Sequence, residues 1–264
     1  MTAILLLVLA PCLMWIVQTA QLRYYGLPVR WRIDTGDAPR QVRTVGRVVT
    51  QASLLGVILC YPLLRGESIV GYYAALLPRS AAALQCLQGA AASMLFLCAL
   101  YGAWIAGDCL RISVHQSRRR WMRRLILLLP TACFGAFVEE LLFRGVVMAD
   151  LLNTPWMPES EAVLLSVIVF AGAHYVRSVK RHWTIFGHLM LGVLLCTAFL
   201  ETRTLWLPIG LHAGGIAMIM GMRPFVRYRG PAWITGASIF PFAGVPGIVG
   251  LGLLTTFVAS YYGG

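Results

Sequence analysis

Five side chains in this 264-residue chain combine hydrolytic chemistry with apolar surroundings: Glu139, Glu140, Arg144, His174 and His212. The first three stand in the apolar stretch from Phe137 to Gly145. On a helix, Glu140 and Arg144 are four residues apart and share a face, so a charge-assisted pair between them is geometrically natural. Glu139 then points about 100° away, leaving one carboxylate neutralised by the arginine and one free for other work. An ion pair that only fixes helix packing accounts for Glu140 and Arg144 but leaves Glu139 unexplained. His174 follows Phe170 by four residues, so ring and imidazole share a face, with Ala171, Gly172 and Ala173 between them. A histidine at such a place is ordinarily a hydrogen-bonded interfacial residue. His212 lies between Gly210 and Gly214, a small-xxx-small spacing that lets a neighbouring helix backbone pack close to the imidazole. A carboxylate base and imidazoles that steer water or stabilise an oxyanion are the parts of general-base hydrolysis.

The elements that must position these groups are membrane helices. The chain is 59% hydrophobic and 12% charged, with a mean hydropathy of +0.74, far from the balance of a soluble domain. The fold class this implies is all-α, a polytopic transmembrane helix bundle. Apolar stretches near the roughly 20 residues needed to span a bilayer recur at about eight places: 2–19, 46–64, 85–107, 130–150, 161–176, 184–200, 205–221 and 233–260. The first has no basic residue ahead of it and no clean small-residue cleavage site after it, so it reads as a retained helix. In such a medium an unpaired ionisable side chain costs about 3 kcal/mol or more, so the five polar residues are expected to meet.

The net charge of +12 is a topology signal and points to no nucleic acid. Eighteen of the 22 basic residues fall in alternate loops: those after the first span (Arg23 to Arg47), the third (Arg111 to Arg124), the fifth (Arg177, Lys180, Arg181) and the seventh (Arg223, Arg227, Arg229). The positive-inside rule makes these loops cytoplasmic and puts both termini outside, in a multi-pass cell membrane, with a bacterial cytoplasmic membrane suiting the short loops best. Trp156, Trp183, Trp206, Trp233, Tyr261 and Tyr262 sit near span ends, as interfacial aromatics do. The seven cysteines are scattered singly with no CxxC pair and read as buried, inert thiols. Gly26 to Arg43 is the longest polar loop. His115 and His182 read as solvated loop residues, His188 as a structural histidine or a support for the site, and the Gly and Pro cluster from Gly236 to Gly252 as a kinked or closely packed last helix.

The order of these motifs resembles the CPBP group, which comprises type II CAAX prenyl endopeptidases and bacteriocin-processing or Abi-type membrane proteins. Its EExxxR signature matches Glu139, Glu140 and Arg144 with Gly145 following, and its FxxxH signature matches Phe170 and His174. In the third, a histidine precedes an Asn-type residue by four; here His212 is followed by Ile216. The resemblance covers residues 118–221 as a catalytic core. N-terminal helices and loops (1–117) lie before it and a C-terminal helix (222–264) after it.

The resemblance implies metal-independent, glutamate-type proteolysis. Glu139 would be the base, oriented with His174; His212 would donate to the developing oxyanion; and Glu140 with Arg144 would hold the geometry. No cofactor and no metal are implied. The partners would be a peptide or membrane-protein substrate, prenylated or not, and the lipid bilayer. Ile216 cannot donate a side-chain hydrogen bond, which supports a rival reading as a non-proteolytic scaffold or immunity protein with a degenerate site. Glu and two His could also ligate zinc, although no HExxH is present. A transporter would suit the buried charges, but no inverted halves are visible. There is no GxSG serine motif, and Ala106, Gly107 and Asp108 lack the first glycine of GxGD.

Depth adds a structural expectation. A fourth span starting at Arg124 would put Glu139 about 22 Å from the cytoplasmic face, beyond the reach of His174. Pro130 therefore predicts a helix break, with residues 118–129 lying along the interface.

Overall fold

A computed structural model describes residues 2–29, 40–113, 117–175, 182–236 and 240–263. His115, the central part of the polar loop at 30–39, and Arg177, Lys180 and Arg181 lie outside the described residues. The chain runs α1 (Thr2–Tyr24), α2 (Arg40–Leu64), α3 (Ile69–Leu76), α4 (Ala82–Ala106), β1 (Leu110–Ile112), α5 (Arg118–Glu140), a π-helical segment Leu141–Met148, α6 (Ala149–Leu152), α7 (Glu159–Ala173), α8 (Ile185–Thr202), α9 (Trp206–Met222), β2 (Val226–Tyr228), α10 (Ala232–Thr235) and α11 (Val245–Tyr262). A polytopic helical membrane bundle is the architecture. Five described helical runs are long and apolar enough to cross a bilayer: 44–64, 82–106, 121–152, 185–202 and 245–262; the shorter apolar α9 accompanies them. Their outer faces, with that of α7, carry Leu87, Leu95, Ile126, Leu164 and Leu253, each at least 60% exposed, which only a hydrocarbon solvent makes favourable.

The α4–α9 pair is the spine of the bundle, and glycine makes it possible. A Cβ on Gly89 would lie 2.5 Å from the Leu207 carbonyl oxygen, and one on Gly214 would lie 2.5 Å from Ser93 Oγ and 2.7 Å from Ala90 Cα. The small-residue spacing around His212 is therefore used as expected, with α4 as the close partner. Beyond α4, Asp108 takes a left-handed conformation (φ 51°) and accepts from Arg111 Nε at 3.1 Å, which holds its carboxyl below the usual range. The chain then enters β1, which pairs antiparallel with β2 from Leu110 opposite Tyr228 to Ile112 opposite Val226. This two-stranded sheet, absent from the sequence reading, ties the end of α4 to the end of α9.

At the opposite end of the bundle, Asp150 is buried and accepts from Tyr61 Oη at 3.0 Å and from the Ala3 amide at 2.9 Å. One carboxylate thus joins α1, α2 and α6. Tyr73 donates to the Ile58 carbonyl at 2.6 Å and Tyr72 donates to that of Gly145, seating the short α3 on the π segment.

Two expectations are corrected. The helix is not broken at Pro130: the proline lies inside α5, and the helical run continues to Leu152. Thr131 sits beside it, its hydroxyl shared between the carbonyls of Leu127 (2.9 Å) and Leu128 (2.8 Å), while the carbonyl that the proline leaves without its helical donor is that of Ile126. The 32-residue run from Trp121 to Leu152 would be about 48 Å long as a straight α-helix, against roughly 30 Å of hydrocarbon. The run therefore has more length than a perpendicular crossing needs, and no break is required to set the depth of Glu139. Among the cysteines only Cys196 is buried; Cys12, Cys60, Cys98 and Cys133 are exposed on helix surfaces.

Candidate active site

The C-terminal end of α5 delivers Glu139 and Glu140 in opposite senses. Glu140 is buried, and its carboxylate oxygens meet Arg144 Nη1 at 3.1 and 3.2 Å. The guanidinium is equally buried. Its Nη2 donates to the Gly192 carbonyl of α8 at 3.3 Å, and its carbon stands 4.5 Å from the centre of the Phe170 ring. These contacts suit an arginine withdrawn from water: a carboxylate, a carbonyl and an aromatic face. Every residue from Leu141 to Met148 is buried, and the i→i+5 winding of this segment is a local device often found at functional sites.

Glu140 has a second partner, because His212 Nδ1 lies 2.7 Å from its Oε1. The imidazole therefore donates from Nδ1 and turns Nε2 toward Glu139, whose Oε2 is 3.6 Å away. His174, the residue that caps α7, approaches from the other side. Its Nδ1 donates to the Phe170 carbonyl at 2.8 Å, and its Nε2 lies 3.7 Å from the same Glu139 oxygen. Both imidazoles have their Nδ1 positions committed to acceptors, so both present Nε2 to one carboxylate oxygen. Distances of 3.6–3.7 Å are too long for direct hydrogen bonds, so Glu139 Oε2 faces both imidazole nitrogens without bonding either. Glu139 is half-buried and its Oε2 has no hydrogen-bond partner within the protein. Phe170 organises the group: its ring is 4.7 Å from His174, 6.1 Å from His212 and 5.2 Å from Phe143.

All five residues singled out from sequence are thus brought together, by α5, the π segment, α7 and α9. Glu139, His174 and His212 form the polar end of a cavity of about 360 Å³ whose other walls are largely apolar, among them Phe96, Leu97, Ile219, Phe240 and Leu254, while Glu140 and Arg144 are buried behind them. Ile216 also lines it, so the departure from the polar residue of the third motif falls at the site. The lining also carries His188, for which the sequence leaves open a structural or a supporting role, and two polar groups that no motif singles out. His188 is buried, with Nδ1 3.0 Å from the Thr184 carbonyl and 3.2 Å from Tyr175 Oη, and its ring is 4.7 Å from that of His174. The other two are Arg223, one of the basic residues that mark topology, and Ser93. Ser93 arrives by a contact between helices that spacing along the chain does not show, whereas Arg223 lies about three turns beyond His212 on the same face of α9. Among the described residues no group of three His, Cys, Asp or Glu side chains is arranged to hold a metal ion.

Residues 121–218 match the family model of Rce1-like type II CAAX prenyl endopeptidases. No curated protein and no solved structure matches the chain. The matched residues take in most of α5, the π segment, α7, α8 and most of α9, and so contain Glu139, Glu140, Arg144, His174, His212 and Ile216. Arg223, Phe240 and the α11 residues of the cavity lie outside it.

Proposed function

We propose that the protein is a CAAX-type intramembrane endopeptidase that hydrolyses a peptide bond with water activated by Glu139, without a metal. The observation that carries this reading is a single carboxylate oxygen, Glu139 Oε2, standing 3.6 and 3.7 Å from two imidazole Nε2 atoms at the polar end of an apolar cavity. A water held there gives one proton to Glu139 as its oxygen attacks the substrate carbonyl, while its second O–H is held by His174 Nε2, free to accept because Nδ1 donates to Phe170. His212 acts as the imidazolium. Glu140 holds its Nδ1–H and supports the positive charge, and Nε2–H donates to the developing oxyanion. Glu139, now a carboxylic acid, returns its proton to the departing amine as the tetrahedral intermediate collapses. Arg144 positions Glu140 and stays away from the reacting atoms. The substrate is a peptide or membrane-protein segment, prenylated or not. The distribution of basic loops supports a site toward the cytoplasmic side of a cell membrane, with both termini outside.

A second reading rests on Ile216, which puts an apolar wall where a further oxyanion donor would help: a membrane scaffold or immunity protein that has lost turnover. One experiment separates the two. Purified, detergent-solubilised wild type is compared with Glu139→Gln and His212→Gln on a library of membrane-anchored and prenylated peptides, with and without a zinc chelator. Cleavage that falls about 10²–10⁴-fold without the base and about 10²–10³-fold without the oxyanion donor, indifferent to chelator, supports the glutamate mechanism. Chelator-sensitive cleavage moves the mechanism to a metal, and folded protein with no cleavage supports the scaffold.

A further inference from the structure

The two-stranded sheet that joins the end of α4 to the end of α9 has two unlike faces. On one, Leu110 and Val226 are buried, and the Tyr228 ring meets that of Trp104 at 6.1 Å between centres. The other face is basic. Arg111, at the centre of its three-residue strand, stands directly opposite Arg227; both are exposed, and the exposed Arg229 follows two residues on. Like charges directly opposite on neighbouring strands, about 5 Å apart at Cβ, destabilise a sheet. Asp108 offsets this only in part. It accepts from Arg111 Nε at 3.1 Å across a pair whose side chains are 55% and 70% exposed, and the Arg229 charge acts on the same carboxylate. Among the described residues no other carboxylate pairs with this face, so three guanidiniums share one anion. A pairing that costs stability within the protein calls for an anion supplied from outside it.

The sheet lies where a membrane supplies such an anion. β1 begins four residues after the end of α4, and β2 four residues after the end of α9. Four residues reach at most about 14 Å, and a headgroup layer of about 5–7 Å borders each side of the hydrocarbon. Ile112 is 54% exposed beside Arg111, and the Trp121 ring meets that of Phe225, just ahead of β2, at 6.1 Å. Exposed isoleucine alternating with arginine, next to a tryptophan, suits a boundary that is apolar below and anionic above; a soluble anion or an acidic peptide accounts for the arginines alone. We propose that the face carrying Arg111, Arg227 and Arg229 binds the phosphate of an anionic phospholipid in the leaflet that borders the basic loops. Guanidiniums present paired N–H donors that match phosphate oxygens. The site goes beyond the peptidase reading and needs no part of it. β2 begins three residues after Arg223, which lines the cavity, so a bound headgroup also holds that rim of the cavity at the phosphate layer.

The test uses the full-length protein in bilayers of an equal mixture of phosphatidylglycerol and phosphatidylcholine, released into detergent and weighed with its retained lipids by native mass spectrometry. Phosphatidylglycerol is expected to be retained in preference. Retention should fall about fivefold for Arg227→Gln and by a similar factor again when Arg229→Gln is added. Arg23→Gln, an exposed arginine at the end of α1, should leave retention unaltered. Equal retention of the two lipids, an equal loss for Arg23→Gln, or full displacement of the lipid by inorganic phosphate or an acidic peptide at the same concentration overturns the proposal. A second measurement separates binding from a merely structural role. In phosphatidylcholine alone, Arg227→Gln is expected to unfold at or above the wild-type midpoint, because the like-charge pair is relieved. In the mixed bilayer it is expected to unfold below the wild type. A midpoint difference of the same sign and size in both bilayers overturns the proposal, and neither readout requires turnover.

Discussion

Arg144 is a fully buried cation whose removal can be costed from its contacts. Arg144→Leu deletes two approaches to Glu140 at 3.1 and 3.2 Å, the bond to the Gly192 carbonyl at 3.3 Å and the ring contact with Phe170. It leaves Glu140 as a buried carboxylate with only His212 opposite it. Breaking one side of a buried pair costs about 3–5 kcal/mol, most of it from the uncompensated partner, against total stabilities of about 5–15 kcal/mol. The double variant Glu140→Gln with Arg144→Leu removes the orphaned charge, while the introduced amide oxygen can still accept from His212 Nδ1. It is therefore expected to recover at least about 2 kcal/mol relative to Arg144→Leu alone. The assay is equilibrium unfolding of the detergent-solubilised protein by helicity, with all four members of the cycle under one condition. Because Glu140 also holds the His212 imidazolium, the double variant should fold and still cut poorly, separating the structural role of the pair from its catalytic one. A cost below about 1 kcal/mol for Arg144→Leu, or additivity across the cycle, would refute this account of the buried pair.

Ile216→Asn restores a donor at a position lining the cavity and should raise turnover about tenfold or more, measured as initial rate on the best peptide; an unchanged rate means that another group already serves the oxyanion. Gly214→Val drives a side chain into Ser93 and the Ala90 backbone and should destabilise by about 1–3 kcal/mol or more, whereas Gly215→Ala, inside α9 with nothing within 4 Å, should unfold at or slightly above the wild-type midpoint, with a gain of up to about 1 kcal/mol. Asp150→Ala removes the acceptor for Tyr61 and the Ala3 amide and should cost about 2–4 kcal/mol of stability with catalytic rate per folded molecule unchanged. A rate loss in that variant would couple the far end of the bundle to the site.

The site was more legible in the sequence than the path that assembles it. Glu139, Glu140, Arg144, His174 and His212 stood out because each is costly in hydrocarbon, and the i,i+4 pairing of Glu140 with Arg144 follows from helix geometry alone. The glycines around His212 announced a close neighbour but not that it would be α4, since small residues record a distance and leave the partner open. Pro130 misled because proline propensity describes an isolated helix in water, whereas a membrane helix packed in a bundle tolerates proline in its interior. The π segment left no trace, because Leu141 to Met148 is as plausible an α-helix as any. Ser93 is a contribution of tertiary structure, arriving at the cavity from α4, whose sequence carries no pattern for it, whereas His188 was open to a supporting role and Arg223 follows His212 on one helix face.

The π segment also sets the phase of the longest helix. Eight residues wound with i→i+5 bonds turn less per residue than an α-helix, so by Met148 the chain lags behind the rotation that α5 would have reached. Glu139 at one end faces the histidines, and Asp150 at the other faces Tyr61 and α1; that lag allows one continuous rod to satisfy both directions. Removing a single residue between Leu141 and Met148 would rotate the two ends by about 100° relative to each other. The helix could then keep either its catalytic bearing or its anchoring bearing, but not both. In this sense the segment works like the offset between two keys cut on one shaft.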